Sequence, residues 1–268
     1  MTHKNDSTKI NTSGINSDSM LNKVVLVTGA SSGLGAHFAT VLAKSGAKVI
    51  VGARRIEKLQ NIVDAINNDG GQATAIELDV TQPNSVSHAM TSALRIYGPI
   101  DCLINNAGVA ESKRFVNLTE DDWQYILNTN LTGAWRVAKA VTSQMLEYNI
   151  KGNVVNIASI LGLRVGFGDS CYAISKAGVV QMTKAMALEF ASKQIRVNAL
   201  CPGYFKTEMN EDYFKSEKGK SYIEQTPAKR IGQLDELTGP LMLLCSDAGS
   251  FINGVALPVD GGHMVSSL

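Results

Sequence analysis

Short apolar runs alternate with longer amphipathic stretches along almost the whole chain, and this alternation constrains the fold more than any other feature. The runs are VVLVTG (24–29), KVIVG (48–52), ATAIELDV (73–80), IDCLINNAG (100–108), NVVNIAS (153–159), IRVNAL (195–200) and VALPV (255–259). Several are apolar at consecutive positions, so both faces of such a strand must be covered. The stretches between them, at 37–46, 56–69, 84–97, 120–148, 172–192 and 234–245, read as helices. Strands apolar on both faces and alternating with helices predict an α/β fold with a mainly parallel sheet and helices on either side. No composition shift marks a second domain. Residues 1–20 are polar and nearly without apolar anchors, so a flexible tail is expected there, followed by one folded domain over 21–268. The polar, aromatic and charged stretch 204–230 is the longest irregular segment and is expected to serve as a lid or binding loop.

Composition removes several function classes. Twenty-five basic residues balance 24 acidic ones, which argues against a nucleic-acid partner. No apolar run approaches the roughly 18 residues of a membrane span. The four cysteines (102, 171, 201 and 245) form no CxxC pair; three lie in or beside apolar runs and read as buried thiols of a reducing compartment, while Cys171, beside the candidate site, stays open to either role. The four histidines (3, 37, 88 and 263) show no metal-ligand spacing, so no metal is expected. With no apolar leader, a cytoplasmic location is the default expectation.

The turn after the first strand carries the first chemical signal. Gly29, Ser31, Ser32, Gly33, Leu34 and Gly35 lie between that strand and a helix. Glycines there permit a tight turn and close backbone approach, while a helix N-terminus offers N–H groups to an anion. The spacing is GxxxGxG, and no GK[ST] follows, so a dinucleotide pyrophosphate fits better than a P-loop nucleotide. An NAD site usually carries an acid about 20 positions later, at the second strand's end. Here that strand ends Gly52-Ala53-Arg54-Arg55. Basic residues at a helix start are unfavourable without an anion, and arginine pairs well with a 2′-phosphate. NADP(H) is therefore the expected cofactor, with NAD as the alternative. Asp79 suits either an adenine amino group or a helix cap.

A polar set without histidine supplies a mechanism. Asn130 lies inside an expected helix, Ser159 ends the fifth strand, and Tyr172 and Lys176 share one helix face at i, i+4. Reducing a ketone with hydride builds negative charge on oxygen, and a tyrosine hydroxyl can donate a proton there. Its ordinary pKa of about 10 is too high for efficient transfer at neutral pH. A neighbouring ammonium, helped by the nicotinamide, is expected to lower it. Lys176 supplies that charge and can also hold a ribose hydroxyl, Ser159 polarises the carbonyl, and Asn130 holds a water linking Lys176 to solvent.

TGASSGLG (28–35), DV (79–80), NNAG (105–108), Asn130, Ser159, YxxxK (172–176) and CPGYFKT (201–207) together resemble the classical short-chain dehydrogenase/reductase family over about residues 21–262. The resemblance implies a single doubly wound Rossmann-type domain with a seven-stranded parallel sheet in the order 3-2-1-4-5-6-7. It implies Asn–Ser–Tyr–Lys catalysis and a homotetramer, with a dimer as the alternative. It places Val80, Asn105, Asn106, Ala107 and Gly108 beside the cofactor or the central sheet. Pro202, Gly203 and Thr207 would contact the nicotinamide half. The chain looks most similar to 3-oxoacyl-acyl-carrier-protein reductases and general ketoreductases. The implied activity is NADPH-dependent reduction of a small-molecule ketone, possibly a 3-oxoacyl thioester, to a secondary alcohol. The alternatives are an NAD-dependent hydroxysteroid, sugar or polyol dehydrogenase and a non-catalytic dinucleotide-binding protein. Expected pocket residues are Leu161, Leu163, Val165, Phe167, Tyr204, Phe205, Tyr213, Phe214 and Tyr222, with Arg164 the one charged candidate between 161 and 167.

Overall fold

Each of the seven apolar runs forms a strand of one sheet, and every strand pair is parallel. The computed structural model describes residues 19–207 and 214–265. The strands are β1 (Val24–Thr28), β2 (Lys48–Ala53), β3 (Gln72–Glu77), β4 (Cys102–Asn105), β5 (Asn153–Ile157), β6 (Arg196–Pro202) and β7 (Ala256–Val259). Their order is β3-β2-β1-β4-β5-β6-β7, as the resemblance implied. The helices among the described residues are α1 (Gly33–Lys44), α2 (Ile56–Asn68), α3 (Pro83–Tyr97), α4 (Glu120–Leu127), α5 (Ala134–Glu147), α6 (Ser170–Phe190), α7 (Glu217–Gln225) and α8 (Thr238–Cys245).

Successive strand residues point to opposite faces, which explains the doubly apolar runs. Val25, Val27, Val49, Val51, Ile104 and Val155 pack against α1, α2 and α8, through Phe38, Leu42, Leu59, Val63 and Leu241. Val24, Leu26, Ile50, Leu103, Val154 and Val197 pack against α3 and α5, through Val86, Met90, Val137, Val141 and Met145. Leu103 is fully buried in this second layer, and truncating it to alanine would cost about 2–5 kcal/mol. Met20 is buried and donates its N–H to the Ser45 carbonyl at 3.2 Å.

Two elements differ from expectation. The helix expected over 120–148 is three segments: α4, a π-helical turn (Asn128–Gly133) and α5. A capping box of Thr119 and Asp122, with Glu120, Asp121 and Asp122 in the first turn, starts α4. The π turn accommodates Asn130 where an uninterrupted helix would disfavour it. The stretch 204–230 contains a helix, α7, rather than only loop; its Ser216 side chain accepts from the Gly219 N–H at 3.2 Å.

Strand order reverses between β1 and β4, because β1 has β2 on one side and β4 on the other. In such sheets a crevice opens at the C-terminal strand ends beside that reversal. The glycine-rich turn and NNAG both lie there.

Candidate active site

Two chain segments meet over the crevice. The Thr28 hydroxyl accepts N–H bonds from Asn106 and Ala107, each at 2.9 Å. Asn106 Nδ2 donates back to Thr28 O at 2.9 Å and Gly29 O at 3.2 Å. The end of β4 is thereby stitched to the first turn. Gly29 has φ +65°, and a Cβ there would stand 2.7 Å from Ala107 Cα. Gly35 is required for contact as well, since a Cβ would lie 2.5 Å from the Gly29 carbonyl oxygen.

The turn fits the pyrophosphate of a dinucleotide. Ser32 caps α1 in extended conformation without a side-chain hydrogen bond, and no acid occupies the first helical turn. The leading N–H groups are thus directed at an anion site, with Ser31, Gly33 and Leu34 around it. Thr207 approaches from the far side, its Cγ2 3.9 Å from where a Gly33 Cβ would be. Pro202 ends β6, and Gly203 follows with its N–H donating to Val259 O at 2.9 Å. A Cβ at Gly203 would meet Asp260 Cβ at 2.8 Å, so the 201–207 segment lies tightly along the end of β7.

The two arginines are placed beside this turn. Arg55 donates from Nη2 to Ser31 Oγ at 3.0 Å, and Arg54 and Arg55 are both exposed. Neither pairs with a carboxylate among the described residues. Asp79 lies two positions beyond β3. One of its carboxylate oxygens accepts from Thr81 N at 2.9 Å and Thr81 Oγ1 at 2.7 Å. Asp79 therefore shapes the turn before α3, whose N-cap is Gln82 and not Asp79. Val80 is buried beneath it, and its carbonyl accepts from the Arg136 guanidinium.

Asn130, Ser159, Tyr172 and Lys176 come together from three elements: the π turn, the end of the β5 segment, and α6, which carries both Tyr172 and Lys176. Lys176 is buried on α6, with Nζ donating to Ile157 O at 2.8 Å and lying 5.7 Å from the Tyr172 ring centroid. A Cβ on Gly108 would be 3.3 Å from Asn130 Oδ1 and 3.4 Å from Lys176 Nζ, so only a residue without a side chain fits between them easily. Asn130 Nδ2 also donates to Ser175 Oγ at 3.1 Å. Ser159 caps a short 3₁₀ turn (Ile160–Gly162), its hydroxyl accepting from Leu161 N at 3.1 Å. Beneath the set, buried Asn105 donates to Ala134 O at 2.8 Å and Asn156 Oδ1 at 3.0 Å, tying β4 to α5 and β5.

Electrostatics in the pocket differ from the expected lowering of the Tyr172 pKa. Burial pushes the phenol up to about 12, with Tyr204 and Asp169 adding to the rise and the Ser159 hydroxyl opposing it. Burial also pulls the Lys176 ammonium down to about 8, against a favourable contribution from Cys201. A desolvated pocket disfavours charge of either sign, so burial is the largest influence on both groups.

The mouth is built from three loops. Lys113 N donates to Gly168 O at 2.7 Å, and Ser112 Oγ donates to Asp169, joining the segment after β4 to the one after β5. Tyr204 packs edge-on to Phe214 and tilted to His263, with ring centroids 6.0 Å apart in each case. Of the expected pocket residues, Phe205 and Phe214 are buried, whereas Leu163, Val165 and Phe167 are exposed on the rim. Tyr213 and the Tyr222 side chain lie outside the described residues. Cys171 is buried and directs its thiol to Trp123 O at 3.9 Å, a packing position. All four cysteines are buried and free. No metal-binding group occurs among the described residues, nor any helix long and apolar enough to cross a membrane.

Val109 and Ser175, which hydrogen-bond the Asn130 side chain, were not legible in the sequence: Val109 acts through its backbone N–H and carbonyl, which no side-chain motif announces, and Ser175 lies hidden within YxxxK.

The short chain dehydrogenase family matches residues 23–218. The 3-oxoacyl-(acyl-carrier-protein) reductase of Thermotoga maritima is 34% identical over 91% of this chain and 98% of its own length. The gluconate 5-dehydrogenase of Gluconobacter oxydans is 37% identical over 90% of this chain and 94% of its own. A gluconate 5-dehydrogenase from Burkholderia cenocepacia, solved in complex with NADP and tartrate, superposes with TM-score 0.89 at 32% identity, covering 94% of this chain and 99% of that one.

Proposed function

This chain belongs to the short-chain dehydrogenase/reductase family, whose NAD(P)-dependent oxidoreduction of carbonyl and hydroxyl groups it shares, and we propose that it works as an NADPH-dependent ketone reductase. The observation that carries this reading is the convergence of Ser159, Tyr172 and Lys176 beside the glycine-rich turn. The dinucleotide supplies the hydride when bound. Gly29, Gly33 and Gly35 leave backbone space for its pyrophosphate, with the α1 N–H groups facing it. Arg54 and Arg55 stand unpaired with acids at the end of β2, which favours a 2′-phosphate over a bare ribose. Asp79 keeps one carboxylate oxygen without a hydrogen bond among the described residues, available to an adenine amino group.

The proton follows from this chain's own residues. The Ser159 hydroxyl orients and polarises the substrate carbonyl. The raised Tyr172 pKa keeps the phenol protonated but makes it a weak acid, so donation depends on the negative charge developing on the substrate oxygen and on a cation to hold the phenolate. The Lys176 ammonium offsets phenolate charge after donation and is itself held by Ile157 O. Asn130 holds the wall of the pocket beside Lys176, where a water can link the ammonium to solvent. A ketone carried on a hydrocarbon portion, including a 3-oxoacyl thioester, suits the apolar rim. Gluconate 5-dehydrogenases among the relatives favour a sugar acid as the second substrate reading, on the same chemistry.

The enzyme is proposed to be a cytoplasmic homotetramer. Four unpaired thiols suit a reducing compartment, and the exposed apolar residues Trp135, Ile174, Leu188 and Phe251 suit burial against further copies. The test is initial rates with NADPH and NADH on a panel of 3-oxoacyl thioesters, cyclic ketones, diketones and oxo sugars. Faster turnover with NADPH and its collapse in Tyr172→Phe are expected. Equal or faster rates with NADH would overturn the cofactor choice, and an undiminished Tyr172→Phe the proton donor.

A further inference from the structure

Resting on that reading, we infer that the site takes a substrate bearing an anionic group, which Arg164 binds with Arg114 in support. Arg164 lies five residues after Ser159 on the loop that forms one wall of the mouth. Its Nη1 donates to the backbone carbonyl of His263 at 2.6 Å. The side chain makes no other hydrogen bond and no ion pair among the described residues, so most of its five N–H donors remain for a ligand. The His263 ring packs 6.0 Å from that of Tyr204, at the mouth of the pocket. The guanidinium is thus anchored to the turn that carries His263 at that mouth.

A second guanidinium stands on the opposing loop. The Arg114 guanidinium lies 5.6 Å above the Phe167 ring and makes no hydrogen bond or ion pair among the described residues. The carboxylates nearby are committed elsewhere. Asp169 accepts from Ser112, Asp122 from Lys113, and Asp260 from Gly262 N and Met264 N at 2.9 and 2.8 Å. Glu111 is exposed on the Arg114 loop and pairs with neither arginine. A rim whose acids are internally satisfied and whose guanidiniums are not has a net attraction for an anion, and arginine's planar fork suits carboxylate and phosphate alike. The anion has two possible sources with one chemistry: the substrate's own carboxylate, or a phosphate on the carrier of an acyl thioester.

Paired substrates separate these sources. One pair is an oxo acid and its methyl ester; the other is a 3-oxoacyl coenzyme A thioester and the same acyl group on N-acetylcysteamine. For each pair the preference is the ratio of kcat/KM for the anionic form to that for the neutral form. Arg164→Gln is expected to lower that ratio by on the order of tenfold to a hundredfold in one pair, through KM. The pair that responds identifies the source. Arg114→Gln is expected to lower the same ratio by a smaller factor, and it keeps the test available if Arg164→Gln folds poorly. A ratio unchanged in both pairs for both variants overturns the inference, as does an equal loss on charged and neutral forms, which marks Arg164 as a brace for the C-terminal turn only. Wild-type turnover on the neutral substrates reports separately on the parent reading: absent turnover on every substrate defeats both, whereas turnover without charge discrimination defeats the inference alone.

Discussion

The Asn130 side chain and the Val109 backbone form a reciprocal pair: Nδ2 donates to the Val109 carbonyl and Oδ1 accepts the Val109 N–H, both at 2.8 Å. The amide thus mimics a strand partner and fixes the chain as it leaves β4 beside Lys176. The π-helical turn is what brings Asn130 to that position.

Replacing Asn130 with alanine leaves two backbone groups of Val109 and the Ser175 hydroxyl short of a partner in a buried site. A loss of about 2–4 kcal/mol in unfolding free energy is expected, since each orphaned buried group costs about 1–3 kcal/mol. Denaturant unfolding checks it. Turnover should fall more steeply than stability because the loop carrying Ser112 and Lys113 is released with Val109. A variant with full stability and full activity contradicts the positioning role.

The pH dependence follows from the two perturbed groups. Reduction requires the phenol protonated, and a Tyr172 pKa of about 12 keeps it so throughout the accessible range. Reduction also uses the Lys176 ammonium, which is present below a pKa of about 8 and lost as pH rises through it. The kcat/KM for ketone reduction is therefore expected to be level in neutral solution and to decline above about pH 8. Steady-state rates across buffers test this. A profile level to about pH 10 would show that the Lys176 charge is retained or unneeded.

Cofactor choice should respond to Arg54 and Arg55. Arg54→Glu combined with Arg55→Gln removes both cations near the 2′ position and adds a like charge against a phosphate. NADPH affinity is expected to weaken by roughly a hundredfold or more, about 1.5–3 kcal/mol per charge-assisted contact, with NADH affinity far less affected. Titration of each dinucleotide by fluorescence gives the two constants. Parallel losses would place the arginines away from the 2′-phosphate.

Gly29 combines positive φ with contact to Ala107 Cα, and relief of both requires the NNAG segment to move. Gly29→Ala is expected to destabilise the fold by about 1–3 kcal/mol and to abolish dinucleotide binding at ordinary concentrations. Thermal unfolding with and without NADPH shows both effects: a lower Tm, and no upward shift on adding cofactor. A normal shift would mean that the turn tolerates a side chain.

The residue pattern alone carried the alternation of strand and helix in a mainly parallel sheet, while the strand order came from the family resemblance. Strands such as VVLVT and NVVNI are apolar at successive positions because helices cover both sheet faces, so the periodicity is itself a record of burial. Tyr172 and Lys176 were legible because helix geometry converts a spacing of four into one shared face. Helix boundaries and the π turn were less legible, because local propensity does not register a hydrogen bond made to a distant segment.

Tertiary structure decided the contacts and the electrostatics. Thr28 and Asn106, 78 residues apart, are joined because β1 and β4 are neighbours in the sheet; Arg164 and His263, 99 apart, follow β5 and β7 on either side of β6 and meet through the segments beyond those strands. The direction of the Tyr172 shift was decided there too. A spacing of four puts an ammonium near a phenol, but how much water surrounds them depends on every element packed over the site, and here desolvation is the largest influence on both groups.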